Sequence, residues 1–142
     1  MSKEFDLHTT GCKDTHSFGG SIGSSYGRLR FCQAGETADD AGFEHHEDVI
    51  LIWVLLVHKE HRGCGHGTEL IQEFLKLAAG WGYKYAIVSA WPLDERGLAL
   101  HDDETPEFMA RVERLKKFYR RSGFRSSIKA IDSWRLRKRL KR

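Results

Sequence analysis

Nine consecutive apolar residues, Val49-Ile-Leu-Ile-Trp-Val-Leu-Leu-Val57, form the longest uncharged apolar run in the chain. Their length and β-branched content are the pattern of a central strand covered on both faces. A bilayer crossing needs about 20 apolar residues, so this run does not span a membrane. Downstream, Leu70, Ile71, Phe74, Leu75, Leu77 and Ala78 recur at helical spacing. They predict an amphipathic helix over 68–79 that stops near Gly80 or Gly82. Tyr85 to Ala90 then reads as a second buried strand. Strand, helix and strand in so short a span make a βαβ unit with parallel strands and a right-handed crossover.

The flanking segments are less sharply marked. Residues 1–27 are rich in Gly, Ser and Thr, and Gly19, Gly20, Gly23 and Gly27 are expected to interrupt any strand there. Arg28 to Gln33 alternates as a short strand, and an acidic loop follows from Gly35 to Asp48. After Pro92 comes a long polar loop carrying Asp94, Glu95, Asp102, Asp103 and Glu104. A second helix is delimited by Thr105 as N-cap, Pro106 at its first position, Glu107 at its positive end, basic residues in its last turn and Gly123 as its stop. Its inward stripe is Phe108, Val112, Leu115 and Phe118 or Tyr119. Residues 124–131 and 133–136 predict a closing antiparallel pair, with 135–142 as a basic C-terminal tail.

At 142 residues the chain is the size of one domain and long enough for a packed core without disulfide or metal staples. Three cysteines, Cys12, Cys32 and Cys64, are an odd number without close pairing and read as free thiols. The eight histidines lack a second cluster at zinc spacing, so no metal is expected. With no signal-type hydrophobic segment in residues 1–10, the expected location is cytoplasmic. Charge is polarised: residues 111–142 hold 14 Lys and Arg against two acids, whereas the preceding 110 hold nine basic and 18 acidic residues. That asymmetry suits either a polyanion-facing end or complementary patches within one fold.

Between the central strand and the first helix stands Arg62-Gly63-Cys64-Gly65-His66-Gly67-Thr68. A helix N-terminus presents unpaired N–H groups and a partial positive charge, and glycines let backbone approach an anionic diphosphate closely. The spacing is neither the dinucleotide Gly-x-Gly-x-x-Gly nor the P-loop pattern.

Arg62-Gly-Cys-Gly65-His-Gly67 resembles the cofactor signature Arg/Gln-x-x-Gly-x-Gly/Ala of the GNAT superfamily of acyl-CoA-dependent N-acyltransferases. Phe118-Tyr119-Arg-Arg-Ser-Gly123-Phe124 is similar to the superfamily's Phe-Tyr-x-x-x-Gly-Phe. The resemblance implies an α/β (α+β) fold over 1–142, a single GNAT-like domain with a mixed central sheet and a βαβ acyl-CoA-binding core. It implies acetyl-CoA as cosubstrate, with backbone groups of Leu55 and Val57 on the pantetheine arm. The N–H groups of Arg62, Gly63, Cys64, Gly65, His66, Gly67 and Thr68 would hold the pyrophosphate. A primary amine would attack the thioester directly, and Tyr119 would be the catalytic acid for the departing thiolate.

The general base is open among Glu47, Asp48, Asp102, Asp103 and Glu104, while His58 and His61 flank the cofactor loop and suit charge balance for phosphate. Two departures from the superfamily pattern stand out. The N-terminal part is short for the pair of helices that usually shapes the acceptor pocket, and Val112 stands where many members carry an Asn that touches the cofactor. The long acidic loop as replacement wall would favour a cationic acceptor such as a polyamine, an aminated sugar, a lysine side chain or an amine-bearing base. One alternative is an acetyltransferase whose acceptor is carried on protein or nucleic acid, since Arg135 to Arg142 holds six basic residues in eight. Another is a catalytically silent acyl-CoA-binding or interaction module. A third, a nucleic-acid-binding protein in which the glycine loop is only a turn, requires both motif matches to be accidental. Exposed edges of so small a sheet are compatible with a homodimer.

Overall fold

The structure is a computed structural model that describes residues 5–11, 18–33, 48–58, 63, 65–89, 105–126 and 135–140. Its strands are β1 (Asp6–Thr10), β2 (Gly19–Ser24), β3 (Gly27–Gln33), β4 (Val49–Val57), β5 (Tyr85–Ser89), β6 (Arg125–Ser126) and β7 (Arg135–Arg139). They form one sheet in the order β1-β2-β3-β4-β5-β7-β6, antiparallel throughout except for the parallel pair β4 and β5. Helix α1 (His66–Gly80) links that parallel pair, and α2 (Pro106–Arg121) precedes β6. This is the mixed α/β sheet with a βαβ centre expected from the sequence.

The helices form where their local signals place them. In α1 the periodic residues Leu70, Ile71, Phe74, Leu75 and Ala78 are buried, with Leu77 half-buried. The Thr105 side chain accepts a hydrogen bond from the Phe108 N–H at 3.2 Å, satisfying one orphan donor of α2. Phe108, Val112 and Tyr119 are the buried stripe of α2, while Leu115 and Phe118 are half-buried. One core holds Ile22, Leu29, Phe31, Ile52, Ile71, Phe74, Val88, Tyr119, Phe124 and Leu136, so both helices and strands β2 to β5 and β7 share it. Among the described residues no helix is long and apolar enough to cross a membrane.

Three expectations are corrected. The glycines of residues 19–27 do not interrupt strands; they permit them. A Cβ on Gly20 would fall on the carbonyl oxygen of His8 in the adjacent β1, and one on Gly27 would fall on that of Leu56 in β4. Only glycine lets the backbones approach that closely.

Nor is β4 covered on both faces along its length. The β3–β4 register runs Arg30 to Val54 and then Phe31 to Ile52, leaving Trp53 as an extra residue on β4. Such a bulge bends and twists its strand, and Trp53 is 51% exposed with the Arg30 guanidinium carbon 5.7 Å from its ring centroid. Finally, residues 135–139 are not a tail but strand β7, inserted between β5 and β6, with Leu136 fully buried. The alternation that buries Leu136 was masked in the sequence by the four cations of the same strand. The acidic loop to Glu47, the loop from Ala90 to Glu104 and the predicted strand residues 127–134 lie outside the described residues.

Candidate active site

Among the described residues, pairing between β4 and β5 runs as far as Ile52 with Val88, whereas β4 pairs with β3 as far as Val57. The bulge at Trp53 directly follows the last of these pairs with β5. Leu55 and Val57, expected to meet the pantetheine arm, lie in that outer half of the strand.

Just past the strand, Gly63 and Gly65 adopt left-handed conformations, with φ of 84° and 83°. Among the described residues, a side chain at either position would meet no atom within 4 Å. Gly65 is the N-cap of α1 and supplies no side-chain acceptor to the first-turn N–H groups. The first-turn N–H groups and the positive helix end are the kind of groups that attract an anion. His66, Gly67 and Thr68 form that first turn, whereas Arg62, Cys64 and His61 fall outside the described residues.

The two sequence motifs meet at Gly67. A Cβ built there would lie 2.9 Å from Cζ of Phe118 and 3.4 Å from Cγ2 of Val57. The glycine thus lets α1, α2 and the end of β4 close on one another. Tyr119, next in sequence to Phe118, is buried and packs edge-on against Phe118 and Phe124, with ring centroids 5.3 and 5.9 Å away. Burial pushes its phenol far above the usual value. The side chain is therefore held protonated, the state a proton donor requires. Gly123 follows in the left-handed turn that stops α2, and Phe124 N–H returns to the Tyr119 carbonyl at 3.2 Å.

Other candidates are distributed differently. Asp48 sits at the opposite end of β4 from the glycine loop, with its carboxylate 3.6 Å from Lys84 Nζ and its carbonyl accepting from Lys84 N–H at 2.9 Å. That arrangement ties the start of β4 to the start of β5. His58 is exposed just after β4, and its N–H donates to the Tyr26 carbonyl at 2.8 Å. Val112 is buried in the α2 stripe. Glu47, Asp102, Asp103 and Glu104 lie outside the described residues. Cys32 is a free thiol whose acidity is lowered by burial. Among the described residues no three His, Cys, Asp or Glu side chains gather as a metal site.

One contact had no sequence signal. Tyr26, in the turn between β2 and β3, stacks on His66 at the start of α1. The two residues are 40 apart in the chain, and no periodicity or motif relates them.

Comparison with known proteins agrees with this geometry. A family model described as an acetyltransferase (GNAT) domain matches residues 26–126. No curated protein matches the sequence. Among solved structures, a GNAT-family acetyltransferase from Staphylococcus aureus is similar with a TM-score of 0.53 and 12% identity, over 87% of this chain and 68% of that one. A GNAT-family N-acetyltransferase from Escherichia coli in complex with CoA has a TM-score of 0.52 and 17% identity, over 88% and 59%. An aminoglycoside 6'-N-acetyltransferase complexed with coenzyme A has a TM-score of 0.55 and 15% identity, over 87% and 74%. These likenesses are of fold.

Proposed function

Because this chain belongs to the GNAT acetyltransferase family, we propose that it transfers an acetyl group from acetyl-CoA to a primary amine. The observation that carries the reading is the meeting of Gly67, Phe118 and Val57 beside a strand whose pairing with β5, among the described residues, runs as far as Ile52.

In this reading the first-turn N–H groups of α1, with the glycine backbone from Gly63 to Gly67, hold the pyrophosphate. The outer half of β4, around Leu55 and Val57, offers strand-type hydrogen bonds to the pantetheine amides. That places the thioester toward Ile52 and Val88, the last described pair of β4 and β5. The neutral amine then attacks the thioester carbonyl carbon, a C–N bond forms, and the C–S bond breaks. Tyr119 gives its phenolic proton to the departing sulfur and regains one from the ammonium that has formed, through solvent. A phenol is neutral at neutral pH and suits this role: a free phenolate near a developing thiolate would oppose it, whereas an O–H donor stabilises it. The acceptor is a cationic amine, a reading supported by the acids clustered in the sequence between Asp94 and Glu104.

Calorimetric titration with acetyl-CoA and CoA tests the proposal, beside a Gly65→Glu variant that sets a carboxylate in the anion site on a left-handed backbone. Binding by the natural chain that is lost in the variant is the expected result. No binding by the natural chain overturns it. Turnover is then sought across polyamines, aminated sugars and lysine peptides.

A further inference from the structure

At the end of α2 away from its N-cap, Lys117, Arg120 and Arg121 join Arg125 of β6 around a cleft of about 490 Å³. All four are exposed, and no acidic residue is among the described residues that line the space. Among the described residues the ion pairs engage Lys76, Lys84 and Lys116 instead.

Folding explains only part of this arrangement. Arg125 donates to the carbonyls of Arg120 at 3.2 Å and Phe124 at 2.9 Å, which satisfies the negative end of the helix. That attraction fades within the last turn, yet Lys117 lies a turn earlier. In the β6–β7 ladder Arg125 also stands directly opposite Arg137. Lys117 therefore lies beyond what the helix end calls for, and four like charges around one space favour an anion there.

We propose that this cleft binds the phosphate backbone of a nucleic acid without reading its sequence. An acidic protein partner fits less well, because protein interfaces depend on buried aromatic and apolar anchors. Here every described lining residue is a cation, and the exposed large hydrophobic residues Leu7, Trp53 and Met109 are not among them. A phosphate chain asks only for charge at intervals, and releases its counterions on contact. No aromatic ring is among the described lining residues, so the contacts argued here are to phosphate, which carries no sequence information. The inference is independent of acetyl transfer.

Fluorescence anisotropy with a labelled random-sequence DNA duplex and a labelled single-stranded RNA tests it, using the full chain and a Lys117→Ala/Arg120→Ala/Arg121→Ala variant. If each of the three side chains neutralises one phosphate, they account for a slope of about −2.7 in log affinity against log salt. That is roughly a 40-fold loss between about 50 and 200 mM salt, and it disappears in the variant. Circular dichroism and CoA titration confirm that the variant stays folded; single Arg121→Gln and Lys117→Gln changes, each lowering the slope by about one, replace it if it does not. Absence of binding at low salt, or an unchanged slope in the variants, overturns the proposal. Competition by polyglutamate equal to that by unlabelled DNA at matched charge also overturns it, in favour of an acidic protein.

Discussion

The Tyr26 ring lies flat on the imidazole of His66, with centroids 3.8 Å apart and planes inclined by 6°. Since the Tyr26 carbonyl also accepts from His58 N–H at 2.8 Å, one turn residue grips the exit of β4 and the entry of α1. Between them lie residues 59–65, of which Gly63 and Gly65 adopt left-handed conformations. Tyr26 therefore acts as an external brace on a loop whose backbone geometry is what an anion would read.

Replacing Tyr26 by Ala removes the brace without altering the loop's own residues. Aromatic pairs contribute about 0.5–1.5 kcal/mol beyond area burial, so CoA affinity is expected to fall between about 2-fold and 12-fold. Tyr26→Phe keeps the ring and retains affinity. Calorimetry on both variants decides the matter, and an alanine variant that binds CoA as the natural chain does removes the brace from the cofactor site.

At Gly67 the expected effect is steric. A valine places branched carbon atoms against Phe118 and Val57, where the first added carbon already comes to 2.9 and 3.4 Å. Overpacking of this kind costs about 1–3 kcal/mol, read as a lower denaturation midpoint, and parting α1 from α2 abolishes CoA binding. Phe118→Leu is expected to restore part of both losses in the double variant, because contacting residues couple. Additive losses would show that the two side chains do not share this contact.

What the sequence made legible was whatever local chemistry repeats or punctuates. The 3.6-residue rhythm from Leu70 to Ala78, the Thr105-Pro106 start and the Gly123 stop each act over a few residues, and each appears where expected. The bulge at Trp53 was hidden because nothing in an apolar run distinguishes the extra residue from its neighbours; the β3 register decides it. Strand β2 was hidden for the opposite reason, since its glycines matter only once β1 and β3 lie beside them. In the candidate site, Gly65, Gly67 and Tyr119 were readable from motif and position. The Tyr26 stack depends on tertiary proximity and had no local signature.

Tyr119 gives a prediction in two pH ranges. Burial raises the phenol's pKa in the folded chain well above its usual 10. Below that value folded and unfolded chains hold the same phenolic proton, and its contribution to stability is complete. As pH rises past about 10 the unfolded chain releases the proton that the folded chain keeps, so stability falls. Tyr119→Phe removes this phenol's share of the alkaline loss, measurable as a shallower dependence of the denaturation midpoint on pH. In the proposed reaction the same variant lowers kcat by about 10²- to 10⁴-fold while leaving CoA affinity unchanged. A variant with full kcat confines Tyr119 to packing.

The C-terminal segment supplies the sharpest division between a basic tail and a structural strand. Removing a solvated tail would leave the melting transition where it is and alter only anion binding. Strand β7, by contrast, pairs on both sides, with Tyr85 to Ser89 of β5 and with Arg125 and Ser126 of β6. Leu140 N–H also donates to the Lys84 carbonyl at 2.7 Å. Deleting residues 135–142 is therefore expected to open the edge of β5, expose Ala86 and Val88 and prevent folding. Because a truncation can fail for many reasons, Leu136→Ala is the more discriminating change. Leu136 is 0% exposed, and cutting such a side chain back costs about 2–5 kcal/mol, whereas Arg139→Ala at the exposed end of the strand costs little. Urea denaturation of the two variants separates these outcomes: equal midpoints would return the segment to the status of a tail, and a large loss confined to Leu136→Ala establishes β7 as part of the core that holds Tyr119 in place.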